Sequence, residues 1–118
     1  MRTSDLPTFK AEFFRALAHP IRIRILELLV VHDQSVQELQ DALRLEQPIV
    51  SQHLAVLRGK NIVSTEKRGT SVRYAVRDPA LGELLAVARR IFNNHLVGTH
   101  DLLRELQLES RKRRSDRP

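Results

Sequence analysis

Residues Ser35–Leu57 read SVQELQDALRLEQPIVSQHLAVL, and their periodicity predicts two short amphipathic helices joined by a tight turn. In the first half Val36, Leu39 and Leu43 recur at the three- and four-residue spacing that lines one helical face. Ser35 stands as an N-cap with Glu38 three residues on, the pattern of a capping box. In the second half Pro48 follows Gln47, and proline is tolerated in a first turn because its missing N–H would have no intrahelical partner there. A helix beginning near Glu46 turns Ile49 or Val50, Leu54 and Leu57 inward. It leaves Gln47, Ser51, Gln52 and, at the margin, His53 on the outward side.

A helix with Gln and Ser on its exposed first turns, preceded by a short bracing helix, has the form of a helix-turn-helix that lays its second helix in the major groove. Gln can pair with adenine at two atoms, and Ser can reach a base or a phosphate. The same pattern also suits a plain helical hairpin with a solvated polar face, so the flanks decide between them.

Downstream the period changes. Gly59 supplies a helix stop, with Arg58 and Lys60 where the negative end of the helix dipole favours cations. Residues 62–66 (IVSTE) and 72–76 (VRYAV) alternate as strands around the turn residues Lys67-Arg68-Gly69-Thr70-Ser71. This is a β-hairpin with a basic tip, and after a recognition helix such a hairpin is a wing whose cations lie beside phosphates. The candidate DNA-binding residues are therefore Gln47, Pro48, Ser51, Gln52 and His53 on the helix, and Lys67, Arg68, Thr70 and Arg73 on the wing.

Upstream, a first helix is expected from about Asp5 to Ala18, with Pro7 in its opening turn. It carries Phe9, Phe13 and Phe14, three of the four phenylalanines, which calls for burial within the domain or in a subunit interface. His19-Pro20 breaks that helix and opens the next, IRIRILELLV, with Ile21, Ile25, Leu28 and Leu29 as its buried stripe and Arg22 and Arg24 projecting outward. Val31–Gln34 reads as a connector. Asp78-Pro79 caps a long last helix in which Leu81 to Leu106 keep a helical apolar spacing for about 26 residues, more than a small domain needs. Such a helix wants a partner. Asn93-Asn94 and Gly98 are places where it could divide in two.

At 118 residues the chain is one domain's worth, small enough for a second subunit to supply part of its core. The expected organisation is one domain over residues 1–110 and a basic, disordered tail over 111–118. Net charge is +6, but residues 111–117 hold five of the 20 basic and one of the 14 acidic residues, so the rest of the chain is nearly neutral. Global charge thus says little about the body. With no cysteine, disulfides, thiol catalysis and thiolate metal sites are excluded. No apolar run approaches the roughly 20 residues of a membrane span, and the opening MRTSDLPTFKAEFF lacks a secretory apolar core, so a cytoplasmic address is expected.

LAHPIRIRILELL, then SVQELQDAL, QPIVSQHLAVLRGKNIV and RGTSVRYAV, together resemble the ArsR/SmtB family of winged-helix transcriptional repressors over about residues 9–95. The resemblance implies a mainly α (α+β) winged helix-turn-helix of about five helices and one hairpin wing. It also implies a homodimer built on the first and last helices, which binds a palindromic operator in double-stranded DNA until an effector loosens it.

The sensor is where this sequence departs. Relatives that bind thiophilic metals use cysteines where this chain has Val36–Asp41, and no soft ligand remains. Another group binds metal between its last helices, and at the matching positions only Asp78 survives beside Ala80, Ile91 and Asn94. His95 and His100 lie about 140° apart around one helix, so with Asp101 they could serve a metal only across a dimer. No metal or cofactor is therefore expected, and the effector is unknown or absent.

Two other functional classes fit the sequence less well. A winged-helix protein-interaction module would leave the polar face and basic wing without a task. An enzyme lacks support: there is no glycine-rich phosphate loop or Gly-x-Ser-x-Gly elbow, and Ser51 and His53 sit about 200° apart on one helix.

Overall fold

The structure is a computed structural model that describes residues 5–115. Its elements run α1 (Leu6–Leu17), α2 (Pro20–Leu29), β1 (Gln34–Ser35), α3 (Val36–Leu43), α4 (Gln47–Gly59), β2 (Val63–Arg68), β3 (Ser71–Val76) and α5 (Ala80–Ser115). The three strands form one antiparallel sheet in the order β1-β3-β2. Among the described residues this is a winged helix-turn-helix of five helices. The hairpin gains a short third strand where the sequence showed only a connector. Gln34 and Ser35 pair with Tyr74 and Arg73. Two residues are too few to show alternation, and only the returning wing makes them a strand.

Proline placement explains two helix starts. Pro20 and Pro48 both sit in first turns, where proline forfeits no bond. The cap of α3 is the expected box: Ser35 Oγ accepts from the Glu38 N–H at 3.2 Å, and its hydroxyl donates to the Glu38 carboxylate at 3.3 Å. The turn between α3 and α4 is made by Arg44 in the left-handed region, φ 57° and ψ 47°, with no glycine present. The end of α4 differs from expectation. Gly59 is simply its last helical residue, and the left-handed turn falls on Asn61 at φ 59°.

The core joins α2, α3, α4 and β2 through Ile25, Leu26, Leu39, Val50, Leu54, Leu57 and Val63, each exposed by less than 2%. Complete burial of each such side chain contributes about 1.5–3 kcal/mol. Val50, rather than Ile49, takes the inward place on α4. In α2 the buried set is Ile25, Leu26 and Leu29, with Ile21 and Leu28 half-covered. Ala16 and Leu17 of α1 close one side. Phe9 and Phe14, whose composition called for burial, are instead 50% and 56% exposed in the single chain.

The chain divides into two compact units, one ending at Gly82 and the other beginning at Glu83. The second is the body of α5, whose start is capped by the Asp78 carboxylate accepting from the Ala80 N–H at 2.9 Å. The helix continues without a break through Asn93, Asn94 and Gly98 for 36 residues. It runs to Ser115, into the basic segment where a tail was expected from residue 111; 116–118 lie outside the described residues. Ile91, Phe92, Leu96, Leu103 and Leu106 are all more than half exposed along it.

Candidate nucleic-acid interface

The inward stripe Val50, Leu54, Leu57 fixes the roll of α4, and that roll decides which side chains it offers outward. Gln47, Pro48 and Gln52 are exposed, and Ser51 and His53 are half-covered. Gln47 donates its side-chain amide to Ser51 Oγ at 2.6 Å, one helical turn on, so these two form a unit. Among the described residues Gln52 makes no such contact.

The wing is built by the register Glu66↔Arg73, Lys67↔Val72 and Arg68↔Ser71 around the two-residue loop Gly69-Thr70. Gly69 lies at φ 62°, a conformation that L side chains rarely adopt. Lys67, Arg68 and Thr70 are exposed at this tip, with Arg68 3.6 Å from its strand neighbour Glu66. An exposed pair of that kind is weak and easily exchanged for another anion.

Arg73 is placed otherwise. Its guanidinium turns back onto the body: Nε lies 3.3 Å from the Asp33 carboxylate, Nη2 donates to the Asp33 carbonyl at 2.7 Å, and Nη1 pairs with Glu38. Arg73 hydrogen bonding holds the Asp33 and Glu38 carboxyls below the usual carboxylate range, and Glu38 foremost raises Arg73 in return. The structure therefore brings Gln47, Pro48, Ser51 and Gln52 together on α4 and Lys67, Arg68 and Thr70 at the wing tip. It separates Arg73 from that set.

Between α4 and the wing lies an open groove of about 420 Å³ lined by Ser51, Leu54, Ala55, Arg58, Gly59 and Tyr74. Arg58 and Tyr74 were not singled out as interface residues from the sequence. Arg58 could have been, since Ser51, Ala55 and Arg58 follow the spacing of one helical face. Tyr74 could not, because its position depends on how the hairpin folds back. His53 also departs from the outward set, as its ring stacks at 4.3 Å from His19 and its Nδ1 lies 3.3 Å from Arg22 Nη1. Arg22, expected to project outward, points into the body.

Residues 19–65, from the start of α2 into β2, match the family described as bacterial regulatory protein, arsR family. Over 108 residues the chain is 44% identical to Rv0081, an uncharacterised HTH-type transcriptional regulator of Mycobacterium tuberculosis, covering 91% of this chain and 95% of that one. The chain belongs to the arsR family. It is a winged helix-turn-helix transcriptional regulator, as the fold and the exposed recognition helix already indicate. The crystal structure of Rv0081 superposes with a TM-score of 0.75 at 46% identity, over 80% of this chain and 95% of that one. A second neighbour, a solution structure described as the homodimeric winged helix-turn-helix DNA-binding domain of a possible ArsR-family regulator from Mycobacterium bovis, gives a TM-score of 0.74 at 25% identity, over 80% and 88% of the two chains. The transcriptional repressor SmtB of M. tuberculosis is 38% identical over 95 residues, covering 71% and 70%.

Among the described residues no three His, Asp or Glu side chains gather in a metal-binding group. His95, His100 and Asp101 are exposed on α5. Among the described residues no helix is long and apolar enough to cross a membrane.

Proposed function

We propose that this protein is a homodimeric repressor, working in the cytoplasm, that binds a palindromic operator and carries no catalytic activity. The observation that carries this reading is the juxtaposition of two surfaces on one unit. Gln47, Ser51 and Gln52 form a polar row on α4, and a basic wing tip of Lys67, Arg68 and Thr70 follows it, with a groove between them. Gln47, Ser51 and Gln52 specify bases from the major groove, Pro48 lets the helix start close to the duplex, and Lys67, Arg68 and Thr70 hold phosphate. Arg58 and Tyr74 add contacts from the groove. Arg73 and His53 are positioning residues, acting through the body.

Dimerisation is supported by α1 and α5, each of which leaves large apolar side chains uncovered. Phe9 and Phe14 do so on the first, and Ile91, Phe92 and Leu96 on the second. Residues 1–110 then act as one DNA-binding and dimerisation domain. Two-fold symmetry places two copies of α4 about one turn of DNA apart, which is why the operator is expected to be palindromic.

The test is selection of bound sequences from a random duplex library, followed by affinity measurements on the winner across a salt series. A palindrome with half-sites about 10 base pairs apart and a clear preference over random DNA is expected. Enrichment of no sequence, with all binding lost at modest salt, would leave charge alone and overturn the reading.

A further inference from the structure

The recognition helix is held from behind by a contact that base reading alone does not require. Arg22, on α2, uses its whole guanidinium internally. Nε donates to the Ala16 carbonyl at 2.6 Å, Nη2 to the Arg15 carbonyl at 3.4 Å, and Nη1 faces His53 Nδ1 on α4 at 3.3 Å. An arginine has only donors, so His53 Nδ1 must be the acceptor and its ring must be neutral, with the proton on Nε2. His19 completes the cluster. Its own Nδ1 accepts from the Ile21 N–H at 3.1 Å, capping α2, and its ring lies 4.3 Å from that of His53 at 41°.

His53 follows Ser51 and Gln52 directly, so any change in how its ring is seated rotates or tilts the side chains that face DNA. We propose that Arg22 positions α4 for sequence reading through His53, and that neutral His53 is the form competent to read the operator. The inference rests on the DNA-reading function above and deepens it.

The charged surroundings give the sign. His53 faces His19 and Arg22, and the cleft beside Arg22 is lined by Arg15 and Glu12 of α1 and Lys60 at the end of α4. Glu12, the carboxylate in that cleft, pairs with Lys60 at 3.0 Å and so offsets one cation of the three, leaving Arg15 and Arg22 uncompensated there. Burial first, then His19, then Arg22 push the His53 ring below the usual imidazole range. A proton on His53 would remove the acceptor and set an imidazolium against a guanidinium, so the contact opens. Acid therefore weakens sequence reading. General attraction of a polyanion for a more protonated protein runs the other way, strengthening binding to any DNA as pH falls. The two effects are separable by comparing operator with random duplex.

The experiment uses the full chain, the library-selected duplex and a random duplex of equal length, with affinities at fixed salt from pH 8 to pH 5.5. The ratio of operator to random affinity is expected to fall a few-fold, about two- to five-fold, toward the acid end of that range in the wild type, short of the factor of ten that one unit of pKa separation reaches only below both midpoints. His53→Gln, which keeps an acceptor but does not titrate, is expected to give a flat ratio, and Arg22→Lys a lower ratio at every pH. Should His53→Gln fail to fold, NMR titration of the His53 ring in the wild type with and without operator replaces it, and operator binding is expected to lower its midpoint. A ratio that stays flat or rises toward acid in the wild type, or an operator-bound His53 that titrates higher, overturns the inference alone. Absence of sequence preference at every pH overturns the DNA-reading function itself.

Discussion

Arg73 on the returning wing strand lies 3.3 Å from the Asp33 carboxylate, at the far end of the connector that leads into α3. With its second arm on Glu38, the same guanidinium joins the wing to the first turn of the helix-turn-helix. The side chain is 22% exposed, so the network sits at the surface but is shielded on one side. Arg73→Ala is expected to let the hairpin move against α3, weakening operator and random DNA together. Hydrogen exchange should show faster opening of the β1–β3 pairing and of the first turn of α3. Unchanged exchange at those amides would mean the wing is held by its backbone alone.

The same network predicts an acid response. Asp33 and Glu38 have folded pKa values below their unfolded ones, so their contribution is present above the unfolded carboxylate range of about 4 and is lost as pH falls through the folded values. Urea unfolding followed from pH 6 to pH 3 should lose stability at the acid end, and Arg73→Ala should lose less. Parallel curves for the two proteins would remove these carboxylates as the cause.

Gln52 and Arg68 are expected to fail differently. Gln52→Ala removes an exposed side chain from the recognition row and should cost about 1–3 kcal/mol on the operator while sparing random DNA. Arg68→Ala removes a wing-tip cation and should weaken all sequences alike, lowering the salt slope by about one. Equal losses on both duplexes for both variants would contradict that division of labour.

Phe92 is 64% exposed in the single chain, too apolar a surface to leave in water on a 36-residue helix. Sedimentation at micromolar concentration should show twice the chain mass of 13.6 kDa, and Phe92→Glu should shift the population toward a single chain. Single chains in the wild type would move Ile91, Phe92 and Leu96 to some other partner.

Much of this architecture was legible from local chemistry. The Ser35–Glu38 cap, the Pro48 helix start, the inward stripe of α4 and the wing with its Gly69 turn each depend on neighbours within a few residues, and each stands where the spacing put it. What failed to show depends on distant parts of the chain. Arg73 reads as one more wing cation until the hairpin folds back on Asp33, 40 residues earlier. Arg22 reads as solvated until α4 brings His53 to it, 31 residues later. Arg44 in a left-handed turn has no sequence signal either, since the turn accepts a strained residue where glycine would be the expected one. Gly98 misleads in the opposite sense: one glycine's lower helix propensity, about 1 kcal/mol, does not by itself interrupt a 36-residue helix, even beside the weak formers Asn93, Asn94 and Thr99.

The bond between Gln47 and Ser51 gives the two glutamines of α4 unequal freedom before any DNA arrives. That bond restricts the Gln47 rotamers, so its amide oxygen is favoured in one direction and less is left to order at the duplex. Gln52 must be ordered by the base it meets. One position of each half-site should therefore be read by a fixed template, strict about which base it accepts, and a neighbouring position by a side chain that can adjust, so that tolerance within an operator is graded along a single turn of helix.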